Sequence, residues 1–135
     1  MNANTAKENT SEEKIIYKEL SYKITGVLFK VHEKLGRYAR EKQYGDLFAE
    51  YLSKEKIKFD REKVISKTSL DINRPDFIVE DCMVVEFKAK TFITKEDYYQ
   101  VRRYLEILNM KLGLAVNFRQ KYLKPKRIIN SKTQV

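Results

Sequence analysis

The chain has 135 residues, 42% of them hydrophobic and 35% charged, with a formal net charge of +9. That length suits one domain with one real core. A single cysteine, Cys82, excludes a disulfide framework and a thiolate zinc site. The polar opening residues are not expected to act as a secretory signal, and no apolar run is long enough to cross a bilayer. A cytoplasmic protein with no membrane partner is therefore expected. The surplus of cations suits nucleic acid or another polyanion, because neutralising phosphates releases counterions; it equally suits a well-solvated basic surface.

In chain order, residues 1–10 read as a polar, disordered tail. Thr10-Ser11-Glu12-Glu13 offers a capping box, and Ile16, Leu20, Ile24, Val27, Leu28, Val31 and Leu35 follow at helical spacing, so a long helix ending near Gly36 is predicted. A second helix over 41–55 places Tyr44, Leu47, Phe48, Tyr51 and Leu52 on its buried side. Residues 56–60 read as a charged connection and 62–72 as a strand rich in β-branched residues. Two further strands, 76–80 and 83–89, precede a second capping box, Thr94-Lys95-Glu96-Asp97. That box opens a helix to Met110 with the stripe Val101, Leu105 and Leu108. Residues 112–118 have the composition of a buried strand, and 124–135 read as a basic, flexible tail.

The predicted class is α/β with α+β character: a mixed four-stranded sheet flanked by helices, in the order ααβββαβ, with one domain over 11–123. A helix between the last two strands permits a parallel crossover in an otherwise antiparallel sheet.

Charge inside two of the apolar strands is the feature with chemical content. Pro75-Asp76 opens one strand and Glu86-Phe87-Lys88 ends the next. Buried acidic groups are costly unless a cation or partner compensates them. Alternation puts Glu86 and Lys88 on one face, with Phe87 on the other. Asp76 can oppose Glu86 only if the hairpin is centred on Asp81, through an odd-length loop or a bulge. A tight two-residue turn at Glu80-Asp81 would pair Asp76 with Val85 and separate the carboxylates. The odd loop is the prediction.

These elements together resemble the PD-(D/E)xK nuclease superfamily, and within it the group called GxxExxY proteins. The signature reads Pro75-Asp76, nine residues, then Glu86-Phe87-Lys88. The GxxExxY stretch reads Tyr38-Ala39-Arg40-Glu41-Lys42-Gln43-Tyr44, with tyrosine where the motif has glycine. Gln100-Val101-Arg102-Arg103-Tyr104 is similar to the Gln-x-x-x-Tyr element of the RecB-like branch. The Tyr38 departure predicts a reshaped turn over 36–40, since tyrosine does not cheaply adopt positive φ.

The resemblance implies a restriction-endonuclease-like core and a Mg²⁺- or Mn²⁺-dependent nuclease, with DNA ahead of RNA as substrate and a homodimer left open. Asp76 and Glu86 are hard oxygen ligands suited to such an ion. The backbone carbonyl of Phe87 is the implied third ligand, and Glu41 the implied additional acid. Lys88 would orient or deprotonate the attacking water, or stabilise charge in the transition state; a plain salt bridge to Glu86 is the simpler reading. Glu41 also suits the positive end of its own helix. Gln100 would orient the water or a metal ligand. Arg74, Arg103 and Tyr104 would contact nucleic acid, although Gln100 and Tyr104 equally suit the border of the core. His32 matches no motif and reads as a packing or surface residue. Two rival readings keep the fold without turnover: a nucleic-acid-binding module, and a regulatory interaction protein.

Overall fold

The computed structural model describes residues 3–132, with side chains from residue 17 onward. Helix α1 spans Ala3–Leu35 and α2 spans Glu41–Lys54. Strand β1 (Phe59–Arg61) is followed by a small hairpin of β2 (Ser66–Lys67) and β3 (Ile72–Asn73). Then come β4 (Phe77–Val79), β5 (Met83–Lys88), α3 (Lys95–Leu108), β6 (Leu112–Asn117) and β7 (Lys126–Ile129). The main sheet has five strands in the order β1-β4-β5-β6-β7, and β2-β3 form a separate pair. Only β5 and β6 run parallel, joined by α3 as the crossover.

Three layers result. On one face of the sheet, Ile24, Leu28 and Val31 of α1 and Tyr44, Phe48 and Leu52 of α2 pack on Phe77, Met83, Val85, Phe87, Leu114 and Val116. On the other, Val101, Tyr104 and Leu105 of α3 pack on Val84, Ala115 and Ile128. The alternation of β5 is thereby divided: Met83, Val85 and Phe87 point to the two-helix face, leaving Val84, Glu86 and Lys88 toward α3. Four aromatic rings, Phe48, Phe77, Phe87 and Phe118, meet at centroid separations of 4.8–5.3 Å under the C-terminal end of β5. Among the described residues no helix is long and apolar enough to cross a membrane.

The structure departs from expectation at several places. The chain is helical from Ala3, so Thr10-Ser11-Glu12-Glu13 lies inside α1 and not at its start. The strand expected over 62–72 is replaced by β1, in the stretch read as a charged connection, and by the small hairpin. Glu62 adopts positive φ (53°), which ends β1, and most of 62–72 stays exposed because it carries little that the core could bury. The fifth strand, β7, forms from part of the expected flexible tail; residues 133–135 of that tail lie outside the described residues. Of its side chains only Ile128 is buried, and Lys126 and Arg127 make it a charged sheet edge. Such a strand has too few apolar positions for period-two patterning to reveal.

The close approach of α3 to the sheet depends on Gly113 of β6, where a Cβ would stand 2.6 Å from Val101 Cγ1 and 3.5 Å from Leu105 Cδ1. Gly113→Ala should therefore cost about 1–3 kcal/mol through overpacking. Urea denaturation of the purified variant checks this, and an unchanged midpoint would contradict it.

Candidate active site

The β4–β5 hairpin pairs Phe77 with Val85, Ile78 with Val84 and Val79 with Met83. Its centre is Asp81, and its loop has three residues, Glu80, Asp81 and Cys82. Glu80 and Asp81 both take φ of 52°, and the Cys82 N–H donates to the Val79 carbonyl at 3.1 Å, as in a type I′ turn. Cys82 is the extra residue that makes the loop odd. Lys58 fastens this loop from outside: its N–H donates to Glu80 Oε1 and its ammonium to Asp81 Oδ2, each at 2.7 Å.

Continuing the register one step sets Asp76 against Glu86. The Asp76 N–H donates to Glu86 Oε1 at 2.9 Å, and the Phe87 N–H donates to Asp76 Oδ2 at 2.7 Å. Asp76 thus meets Glu86 across the hairpin, and its charge disfavours ionisation of Glu86. Glu86 is 4% exposed, and Asp76 is half-buried. Burial, and then the adjacent charge of Asp76, push the Glu86 carboxyl up to about 8. Burial likewise raises Asp76 against the pull of the Phe87 N–H.

In an extended strand one residue's N–H and C=O face the same edge. The Lys88 carbonyl accepts from Phe118 N–H on the β6 side. The Phe87 carbonyl therefore faces the other edge, where its own N–H meets Asp76. The two carboxyls and this carbonyl form a hard-oxygen donor set of the kind Mg²⁺ or Mn²⁺ takes, so the residues present fit such an ion.

Lys88 projects to the α3 face, as alternation requires. Its ammonium donates to Gln100 Oε1 at 3.0 Å and lies 3.7 Å from Glu86 Oε2 and 3.9 Å from Asp97 Oδ1. Gln100 thus holds the lysine. Asp97 was legible only as the third residue of the Thr94 capping box, which does form: Thr94 N–H donates to Asp97 Oδ2 at 2.8 Å. The same carboxylate accepts from Lys90 Nζ at 2.6 Å. Burial alone would raise Asp97, but the hydrogen bonds from Lys90 and Thr94 and the charge of Lys88 hold it below the usual range. Its spacing of three from Gln100 on one helix was the signal that could have linked it to the site.

Glu41 is the first residue of α2, and the nearby Ala89 N–H favours its ionised form. Partial burial and the charge of Asp76 raise its carboxyl, against Lys88 and Lys90. It approaches from the two-helix side of the sheet and does not join Asp76 and Glu86 in a three-carboxylate cluster; among the described residues no group of three His, Cys, Asp or Glu is placed to hold an ion. A turn over 36–40 precedes it. Gly36 takes the positive φ (73°), Tyr38 does not, and Tyr44 secures the turn by donating its hydroxyl to the Gly36 carbonyl while accepting from Ala39 N–H. The Tyr44 ring stacks on Phe118 at 4.1 Å, so its role in the core is packing as well.

Two clefts open beside the pair. One, of about 460 Å³, lies between α2 and the sheet and is lined by Glu41, Arg61, Glu62 and Asp76 among others. The second, of about 330 Å³, is lined by Glu62, Arg74, Asp76, Glu86, Gln100 and Tyr104 with Ile72. Asp76 and Glu62 belong to both. Glu62, whose N–H donates to the Asp76 carbonyl at 3.0 Å, went unnoticed because it stood in a stretch read as strand. Arg74 is exposed at the mouth of the second cleft, whereas Arg103 is exposed on α3 and lines neither. Tyr104 is 4% exposed, in keeping with a place at the border of the core. Burial, with the charges of Glu86 and Asp76, raises its hydroxyl to about 12 against the nearby Arg74 N–H. His32 sits apart, its Nε2 donating to the Gln120 carbonyl at 2.8 Å.

A five-stranded mixed sheet between helices, with an acidic pair and a lysine on its central hairpin, is a restriction-endonuclease-like fold. The family model of the PD-(D/E)XK nuclease superfamily matches residues 18–129, and the chain belongs to that superfamily. No curated protein and no solved structure matches it.

The raised carboxyls make stability depend on pH in a known direction. Between about 4.5 and 8 the folded chain keeps a proton on Glu86 that the unfolded chain has lost, so stability falls as pH rises through that window. Glu41 and Asp76 act in the same direction. In EDTA the melting temperature should fall between about pH 6 and pH 9, and Glu86→Gln should flatten the decline. Equal slopes for the two proteins in thermal melts would contradict this assignment.

Proposed function

We propose that the chain is a Mg²⁺- or Mn²⁺-dependent nuclease that hydrolyses phosphodiesters, with DNA as its substrate, and that it is a member of the GxxExxY group. The observation that carries the reading is the Asp76–Glu86 pair, Glu86 buried and Asp76 half-buried beside it, with the Lys88 ammonium 3.7 Å from Glu86. A buried carboxyl pair retaining a proton near neutrality costs stability, and a cation in that proton's place relieves the cost.

Asp76, Glu86 and the Phe87 carbonyl would hold the ion. When bound, it supplies Lewis acidity and lowers the pKa of a coordinated water. Lys88, fastened by Gln100, presents a fixed ammonium where negative charge grows on the phosphoryl oxygens, so little reorganisation is needed. As a donor to an amide oxygen with two carboxylates nearby, it suits charge stabilisation and water orientation better than proton abstraction. Glu41 faces the cleft from α2 and would act on waters around the ion. Tyr104 shapes the wall of the second cleft, and Arg74, exposed beside it, would meet a phosphate. Arg103, on the outer side of α3, is a weaker candidate for that role.

The same fold used for nucleic-acid binding without turnover is the second reading. The position of Glu41, which forms no three-carboxylate group with Asp76 and Glu86 among the described residues, favours it.

Labelled DNA and RNA, single- and double-stranded, should be cut in Mg²⁺ or Mn²⁺ and left intact in EDTA. Asp76→Ala and Lys88→Ala should each lower the rate by about 10²-fold or more. Gln100→Ala should cost less, since it loosens Lys88 without removing the charge. Cleavage unaffected by the first two substitutions would defeat the mechanism. Salt-dependent binding with no cleavage of any substrate would favour the second reading.

A further inference from the structure

Beyond the carboxylate site lies a concavity of about 370 Å³ that includes Arg37, Arg119, Lys121, Tyr122 and Lys124 and no acidic residue. None of its four cations has a carboxylate partner among the described residues. On the cleft between α2 and the sheet, by contrast, Lys42 and Arg61 are both engaged by Asp46. Two tyrosines accompany the cations and stand out from the surface, Tyr38 at 75% exposure and Tyr122 at 73%. The Arg37 and Arg119 guanidinium carbons lie 5.2 and 5.4 Å from the Tyr38 ring centroid, and the Lys121 ammonium lies 5.5 Å from that of Tyr122.

This surface is built, not loose. Arg37 Nε donates to the Arg119 carbonyl at 2.9 Å, and Arg119 Nε donates to the Arg37 carbonyl at 3.1 Å, tying the turn after α1 to the segment after β6. Leu123 is buried beneath the segment, and His32 holds the Gln120 carbonyl. The patch also reaches the end of β5 beside the candidate active site: the Ala89 carbonyl, next to Lys88 in the chain, accepts from Arg119 at 3.2 Å.

We propose that this patch is a track for single-stranded nucleic acid, on which bases stack at Tyr38 and Tyr122 while Arg37, Arg119, Lys121 and Lys124 follow the phosphates. Exposed aromatic faces have no use for a duplex, whose bases are already stacked. Cations interleaved with such faces are what a sequence-tolerant single-strand surface needs. Tyrosine in place of the motif glycine at 38 thus supplies a binding ring, and Gly36 meets the turn's need for positive φ. The proposal rests on the nuclease reading only in making that strand the substrate.

Fluorescence anisotropy in EDTA tests binding apart from cleavage. The probes are labelled oligo(dT), oligo(U) of the same length, and a duplex of that length. Oligo(dT) or oligo(U) should bind more tightly than the duplex. Tyr38→Ala and Tyr122→Ala should each weaken single-strand binding about fivefold or more. Lys121→Ala with Lys124→Ala should flatten the slope of log affinity against log salt by about 1.4. Tyr22→Ala, on an exposed tyrosine of α1 outside the patch, is the control and should change nothing. Tyrosine variants that bind as wild type does, or a duplex bound as tightly as the single strands, would overturn the proposal, as would no binding at all. Loss of single-strand affinity in these variants alongside absent cleavage would keep the track and discard the nuclease reading. Cleavage with unaltered single-strand binding by the variants would do the opposite.

Discussion

Everything chemical in this molecule follows from the hairpin loop Glu80-Asp81-Cys82. Because side chains alternate with a period of two, removing one loop residue would turn Asp76 to the opposite face from Glu86. The core would feel the same slip, since Phe77 and Val79 pack with Val85 and Met83 on the two-helix face. Packing and site therefore demand one register. The loop meets that demand with two non-glycine residues at positive φ, of which Asp81 is the better tolerated type. Lys58, hydrogen-bonded to both loop carboxylates, helps hold them there.

Given the register, the remaining parts arrive from elements whose positions the core sets. Gly113 lets α3 settle on the sheet, and α3 then brings Gln100, Asp97 and Tyr104 against the Glu86–Lys88 face. Opposite charges alternate from Glu86 through Lys88 and Asp97 to Lys90, so the lysine is held from three sides instead of collapsing onto one carboxylate. The α2 helix delivers Glu41 from the other side of the sheet. Asp76, at the start of β4 where the sheet ends, is reachable from both sides, and this is why the two clefts meet there.

Much of this was legible in the sequence because it rests on strong, local signals. Helical spacing and the Thr94 box located α3, dense apolar runs located β5 and β6, and parity alone identified the odd hairpin loop. What escaped lacks such signals. The strands β1 and β7 are edge strands with few buried side chains, and pairing with a neighbour, not their own pattern, makes them extended. Asp97 carried an evident capping role that hid its link to Lys88. For Tyr104 a nucleic-acid contact and a place at the core border stayed open, because spacing gives the face of a helix and not the depth of its burial. Glu41 lay at its expected helical position and shares one cleft with Asp76, but it reaches that cleft from the α2 side, which no linear spacing could disclose.

If the proposed ion site is real, a divalent cation bound at Asp76 and Glu86 displaces the proton that burial keeps on Glu86. Calorimetric titration of Mn²⁺ into the protein at about pH 7, repeated in buffers of different ionisation enthalpy, measures the protons released on binding. The account predicts release of about one proton per ion bound, lost in Glu86→Gln together with most of the affinity. Binding with no proton release, or binding that Glu86→Gln leaves unchanged, would contradict it.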